Sequence, residues 1–206
     1  MKEYVLYFCS FIPQHILLNM AKTEINIPTF HPDSPESWRQ WLLENHRSAV
    51  AVWLVYYKKK AGKPSLSWSE AVDEALCFGW IDSKAKPLDD EKYMQFFTPR
   101  KAKSVWSKIN KEKIKQLEAA GKMTPAGWEI IEIAQQNGSW TILDEVEELV
   151  IPDDLAAAFV PYPEAWARFL ALSKSVRKTY LYLLVSAKRP ETRQKRIEDI
   201  VAKMMA

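Results

Sequence analysis

The sequence predicts an α+β fold: a small, mostly antiparallel sheet flanked by helices, then an all-helical C-terminal module. Three observations carry this. Runs rich in β-branched and aromatic residues, free of breakers, occur at residues 49–59, 80–86 and 93–98. Helix-capping signals stand between and around these runs. Beyond residue 151 no strand-like run occurs, and Pro152, Pro163, Ser173 and Pro190 each mark a helix start. An α+β domain is therefore expected over residues 30–140 and a helical domain over 145–206.

The elements follow in order. Ser34-Pro35-Glu36 opens a first helix: the serine caps, and proline sits where its missing N–H costs nothing. Trp38, Trp41, Leu42 and Asn45 continue it at helical spacing. Residues 49–59 read as a buried strand, and residues 62–64 turn the chain. Ser67 and Glu70 form a capping box, followed by an apolar face of Val72, Ala75, Leu76 and Gly79. The strands at 80–86 and 93–98 are joined by the turn sequence PLDDE. Tyr93, Gln95 and Phe97 are expected on one side of the sheet, and Met94, Phe96 and Thr98 on the other.

A helix over residues 104–119 follows, with Val105, Trp106, Ile109, Ile114 and Leu117 inward and Gly121 as its left-handed end. Thr124-Pro125 opens another, carrying Trp128, Ile131 and Ala134, and Asn137-Gly138 closes it. In the C-terminal part, Leu155, Phe159, Trp166, Phe169, Leu170, Val176, Tyr180, Leu184, Ile197, Ile200 and Val201 form the apolar stripes of packed helices.

The apolar opening, MKEYVLYFCSFIPQHILLN, is broken at Pro13-Gln14-His15, well short of a membrane span. Translation is expected to begin at Met20, giving a cytoplasmic protein. A signal segment with a periplasmic destination is the alternative. Cys9 and Cys77 have neither metal nor redox spacing.

Among 206 residues there are nine Trp and only five Gly, so a glycine-rich phosphate cradle is not expected. No nucleotide loop, nucleophile elbow or zinc-binding HExxH pair occurs. Three His do not make a metal site or a triad. The reading is of a binding protein without catalytic residues, cofactor or metal; an enzyme of unrecognised class is the alternative.

Charge is unevenly spread. Residues 100–116 hold seven Lys/Arg against Glu112, a net +6. Residues 174–206 hold nine basic against three acidic side chains, again +6. Residues 141–165 hold seven acidic side chains and no basic one, a net −7. Basic helices of this kind either meet a polyanion or pair with the acidic segment. Lys103, Lys108, Lys111, Lys188, Arg189, Arg193 and Arg196 are the candidates for nucleic-acid contact.

Asp82 and Arg100 are the candidate pair at the centre of a site. A hairpin turning near Asp89 and Asp90 is expected to bring them together. Arginine suits a carboxylate or phosphate, with Asp82 to orient it. Trp80, Phe97 and Trp106 supply apolar walls, and Lys84, Ser107 and Asn110 supply polar contacts. A purely structural role for the pair, fixing the hairpin, is the competing reading.

The stretch GWIDSKAKPLDDEKYMQFFTPRKAKSVWSKINKEKI, continued by GKMTPAGW, resembles the signature of the YdeI/OmpD-associated family. IPDDLAAAF and LSKSVRKTYLYLLVSAKRPETRQKRI resemble its C-terminal OmdA-type domain, so the likeness spans roughly residues 35–204. The N-terminal part is similar to the YjbR/CyaY-like group of α+β folds. The resemblance implies a role in protection against bacteriocins or antimicrobial peptides and a periplasmic setting. It assigns no catalytic residue.

Overall fold

The computed structural model describes residues 27–206. The expectations about a start, a signal or an anchor within residues 1–19, and about Cys9, lie outside the described residues. The fold is α+β: a four-stranded mixed sheet with helices in the N-terminal half, then a helical region.

The N-terminal elements are β1 (Thr29–Phe30), α1 (Pro35–Asn45), β2 (Val52–Tyr57), α2 (Trp68–Cys77), β3 (Trp80–Pro87), β4 (Lys92–Pro99), α3 (Lys108–Ala119) and α4 (Pro125–Gln136). The strand order is β1-β2-β4-β3. β2 and β3 both run antiparallel to β4, while β1 runs parallel to β2, with α1 as the crossover that parallel strands require. This two-residue parallel edge was not expected from the sequence.

The caps form as the residue types dictate. Ser34 and Ser67 each accept a backbone N–H three residues on, and Glu70 accepts the Ser67 N–H in return. Thr124 caps α4, and Gly121 and Gly138 take left-handed conformations beyond α3 and α4. The buried strand is shorter than expected: β2 ends at Tyr57, and Lys59–Ala61 form a 3-10 turn.

α3 departs most. It begins at Lys108 with Ser107 as its cap, not at 104, so Val105 and Trp106 belong to the preceding loop. Ile109 is 67% exposed, contrary to the inward face expected, and Trp128 of α4 is 39% exposed.

One buried cluster joins the inner face of the sheet (Val52, Leu54, Tyr56, Trp80, Phe97) to Trp38 and Leu42 of α1, Ala75 and Leu76 of α2, Ile114 and Leu117 of α3, and Ile131 of α4. β4 alternates as expected, with Phe97 in that cluster. Between Asp82 and Ala85, however, β3 carries one extra residue against β4. This bulge interrupts alternation, so Asp82 and Lys84 leave opposite faces.

The C-terminal helices are α5 (Asp144–Glu147), α6 (Asp153–Phe159), α7 (Pro163–Ala171), α8 (Lys174–Val185) and α9 (Pro190–Met205). The four longer ones start where Pro152, Pro163, Ser173 and Pro190 predict. A second buried cluster joins Leu155, Phe159, Phe169, Leu184, Ile197 and Ile200. Leu170 and Val176, expected in those stripes, are exposed. Arg193 of α9 forks onto Asp154 of α6 at 2.6 and 2.9 Å. Among the described residues, no helix is long and apolar enough to cross a membrane.

Two outcomes are expected. Gly127 lies against the backbone of α2, where an added Cβ would sit 2.4 Å from the Cys77 carbonyl oxygen. Gly127→Ala must therefore push α4 off α2, lowering the urea unfolding free energy by about 1–3 kcal/mol. Asp154 is held below the usual carboxylate range first by its hydrogen bond from Arg193, then by that cation's charge. A depressed folded pKa gives stability that is present above the unfolded value near 4 and lost as pH falls through the folded one. Asp154→Asn should thus cost roughly 0.5 kcal/mol in denaturant melts at pH 7, the pair being partly exposed, and less at pH 3.

Candidate functional site

Arg100 follows β4. Its backbone N–H donates to the Gly79 carbonyl at 2.8 Å, which ties the strand end to the turn before β3. Its side chain is 6% exposed. The guanidinium lies 3.7 Å from the centre of the Trp106 ring, and Nη1 donates to the Val105 carbonyl at 2.9 Å. Nε is buried with no hydrogen-bond partner among the described residues. Burial pushes the Arg100 pKa down to about 10, with Asp82 opposing that shift, so the group remains a cation at neutral pH.

The loop from Lys101 to Ser107 is held from α4's end. Asn137 Nδ2 and Ser139 Oγ both donate to the Ala102 carbonyl, at 2.7 and 3.3 Å. Trp106 packs 5.0 Å from Trp140. The Ser107 hydroxyl accepts the Asn110 N–H and so starts α3.

Asp82 does not meet Arg100. The register sets Asp82 opposite Phe97 and Trp80 opposite Pro99, so Arg100 lies three residues beyond Asp82's partner, about 10 Å along the strand. Asp82 Oδ2 instead accepts from Trp68 Nε1 at 2.9 Å and from the buried Gln95 at 2.8 Å. No ion pair, the competing structural reading, joins them; the two groups face one space. Asp82, Arg100, Lys103, Ser107 and Asn110 line a cleft of about 480 Å³, as does Tyr182 of α8. Lys103 and Tyr182 are exposed on its rim.

The other sequence candidates lie elsewhere. Trp80 and Phe97 are core residues, and the Trp80 indole donates to the His46 carbonyl. Trp106 touches the site only from beneath, as the platform for Arg100. Lys84, turned out by the bulge, stands over Phe96 and Trp53 on the outer sheet face. Gln95, Trp68 and Tyr182 were missed; the inward position of Gln95 on an otherwise apolar strand face was the one available signal for it.

Four of the seven candidates for nucleic-acid contact already have internal partners. Lys111 pairs with Asp144, and Lys108 with Glu148 at 3.2 Å. Arg193 serves Asp154, and Arg196 donates to the Leu183 carbonyl and to Ser186. Lys188 and Arg189 are exposed at the start of α9. Among the described residues, no group of His, Cys, Asp and Glu has the arrangement of a metal site.

The architecture is thus an α+β unit, with a cation-floored cleft at one end of its sheet, followed by helices. Residues 148–206 match the family described as Bacteriocin-protection, YdeI or OmpD-Associated (OmdA). Residues 30–130 match Domain of unknown function (DUF8412). The YjbR/CyaY-like likeness expected for the N-terminal part has no support in these matches. No curated protein and no solved structure matches the chain.

Because Asn137 anchors the loop that carries Trp106, Asn137→Ala should cost about 1 kcal/mol in chemical denaturation. Hydrogen exchange should quicken at the amides of residues 101–106 while those of β2 and β4 hold their rates.

Proposed function

We propose that the chain is a non-enzymatic binding protein whose cleft receives a small anionic ligand or the carboxylate of a peptide. The observation that carries the reading is Arg100. A guanidinium withdrawn from water, stacked on an indole and facing a cleft with no carboxylate bonded to it leaves donors for a planar anion. Lys103 adds a second cation at the rim, and Asn110 a neutral donor and acceptor. Asp82 keeps one carboxylate oxygen free of the Trp68 and Gln95 bonds, so a hydroxyl or ammonium on the ligand would complete the fit.

The description of the family matched at residues 148–206 supports a protective role against bacteriocins, with the cleft as the element that senses or sequesters a ligand. Nucleic-acid contact through the basic helices has less support, since Lys108, Lys111, Arg193 and Arg196 already have partners.

The test is a thermal-shift screen of dicarboxylates, phosphate esters and short peptides, with calorimetry on hits and a parallel readout for turnover. A ligand at a hundred times its Kd should stabilise the fold by about 2.7 kcal/mol. Arg100→Lys, which keeps charge but loses the fork, should weaken binding about tenfold or more. Lys103→Gln should weaken it several-fold and leave the melting temperature of the free protein unchanged. Hits whose affinity survives both substitutions would place the ligand outside this cleft, and turnover of a hit would make the protein an enzyme.

A further inference from the structure

The outer face of the sheet is built differently from the cleft. Among the described residues, the helices pack on the inner face, and Trp53, Tyr57 and Phe96 belong to neither buried cluster. Trp53 and Phe96 are direct cross-strand partners, with ring centres 4.7 Å apart. Tyr57 lies on the same face of β2, four residues or about 13 Å from Trp53.

Lysines gather on these rings. Lys86 Nζ lies 4.4 Å from the centre of the Trp53 ring, and Lys84 Nζ lies 5.3 Å from that of Phe96. Lys63 and Lys92 stand 5.1 and 5.5 Å from Tyr57. Lys86 is on β3 and Trp53 on β2, so the Lys86 stem spans β4 above its own pair partner, Met94. Lys58, Lys59 and Lys60 add charge where β2 ends. Across residues 58–63 and 84–92 there are seven Lys against Asp89, Asp90 and Glu91, a net +4. Lys63 pairs with Glu91, while no carboxylate of the described residues pairs with Lys84 or Lys86.

Rings on a sheet, with ammonium groups resting on their faces, offer two things together. The ring faces can stack planar heterocycles, and the flexible lysine heads can leave the rings for phosphates. An acidic peptide would use the lysines but leave the ring faces unused. A duplex hides its base faces within its own stack. We propose that this outer face binds single-stranded nucleic acid, with two or three bases stacked over Trp53, Phe96 and Tyr57 and the backbone held by Lys84, Lys86 and the lysines at the end of β2. The surface is separate from the Arg100 cleft and does not depend on the reading given for it.

The experiment uses the full chain and fluorescein-labelled rU12, dT12, a 12-base-pair duplex and a labelled poly-glutamate peptide, followed by anisotropy at 50 and 200 mM salt. The single strands should bind more tightly than the duplex and the peptide, quench tryptophan emission, and weaken with salt. Phe96→Leu and Trp53→Leu should each weaken single-strand binding about tenfold. Lys84→Gln with Lys86→Gln should weaken it and lower the salt slope by one to two. Thermal melts of each variant show whether the fold is kept, and the lysine pair, being on the surface, keeps the test open if a ring variant unfolds. Lys103→Gln should leave oligonucleotide binding unchanged. Absence of single-strand binding at 50 mM salt overturns the proposal. So does equal binding of the duplex or the peptide, and so does binding by folded ring variants equal to that of the parent.

Discussion

A buried guanidinium on an indole holds this end of the molecule together. Taking a charge out of water costs several kcal/mol in a folded protein. At Arg100 that cost is offset by the Trp106 face at 3.7 Å, by the Val105 carbonyl and by the field of Asp82. Each contact constrains something else. Trp106 lies against the cation, and Asn137 and Ser139 hold the loop before α3 at the Ala102 carbonyl. With the loop fixed, Ser107 caps α3 at a definite residue. α3 then presents Lys108 and Lys111 to Glu148 and Asp144, ahead of the helices that follow. A substitution at Arg100 therefore acts on the loop, on α3 and on the junction after it, as well as on any ligand.

The second constraint is the single extra residue in β3. Without it, strict alternation would put Asp82 and Lys84 on one face. With it, Asp82 points to the inner side, where Trp68 and Gln95 hold it beside the cleft, and Lys84 points to the outer side, over Phe96. One inserted residue thus divides neighbouring charges between an enclosed polar site and an open aromatic one. Bulges commonly re-aim side chains in this way near functional sites.

Local signals were legible in the sequence to the extent that they are local. Ser34, Ser67, Thr124 and Ser173 cap where their spacing predicts, because a side-chain oxygen needs only an amide three residues away. β1 was illegible, since two residues have no periodicity and pair only because β2 lies beside them. Ile109, Val176 and Leu170 fit apolar spacing yet face solvent, because tertiary packing decides which side of a helix has a partner. From the sequence alone, equal distances from the turn make Asp82 and Arg100 neighbours. Registry is set by pairing at Phe97 and Pro99 and by the bulge, none of which turn spacing contains. Gln95 and Trp68 entered the site through that same long-range geometry.

The charge asymmetry of the chain takes a particular form in three dimensions. The acidic segment after α4 does not remain a free counter-surface: Asp144, Glu147, Glu148 and Asp154 take Lys111, Lys178, Lys108 and Arg193. Of the sixteen basic side chains in the two basic stretches, six, Lys108, Lys111, Lys113, Lys115, Lys178 and Arg193, sit on carboxylates of the described residues. The lysines on the outer sheet face lie outside these acidic stretches, and Lys84 and Lys86 rest on π-faces instead of carboxylates. A ring is a weaker partner than a carboxylate for an exposed ammonium and gives it up more readily to a phosphate. Net charge alone would point to the helices; Lys84 and Lys86, resting on rings and on no carboxylate of the described residues, point to the sheet as well.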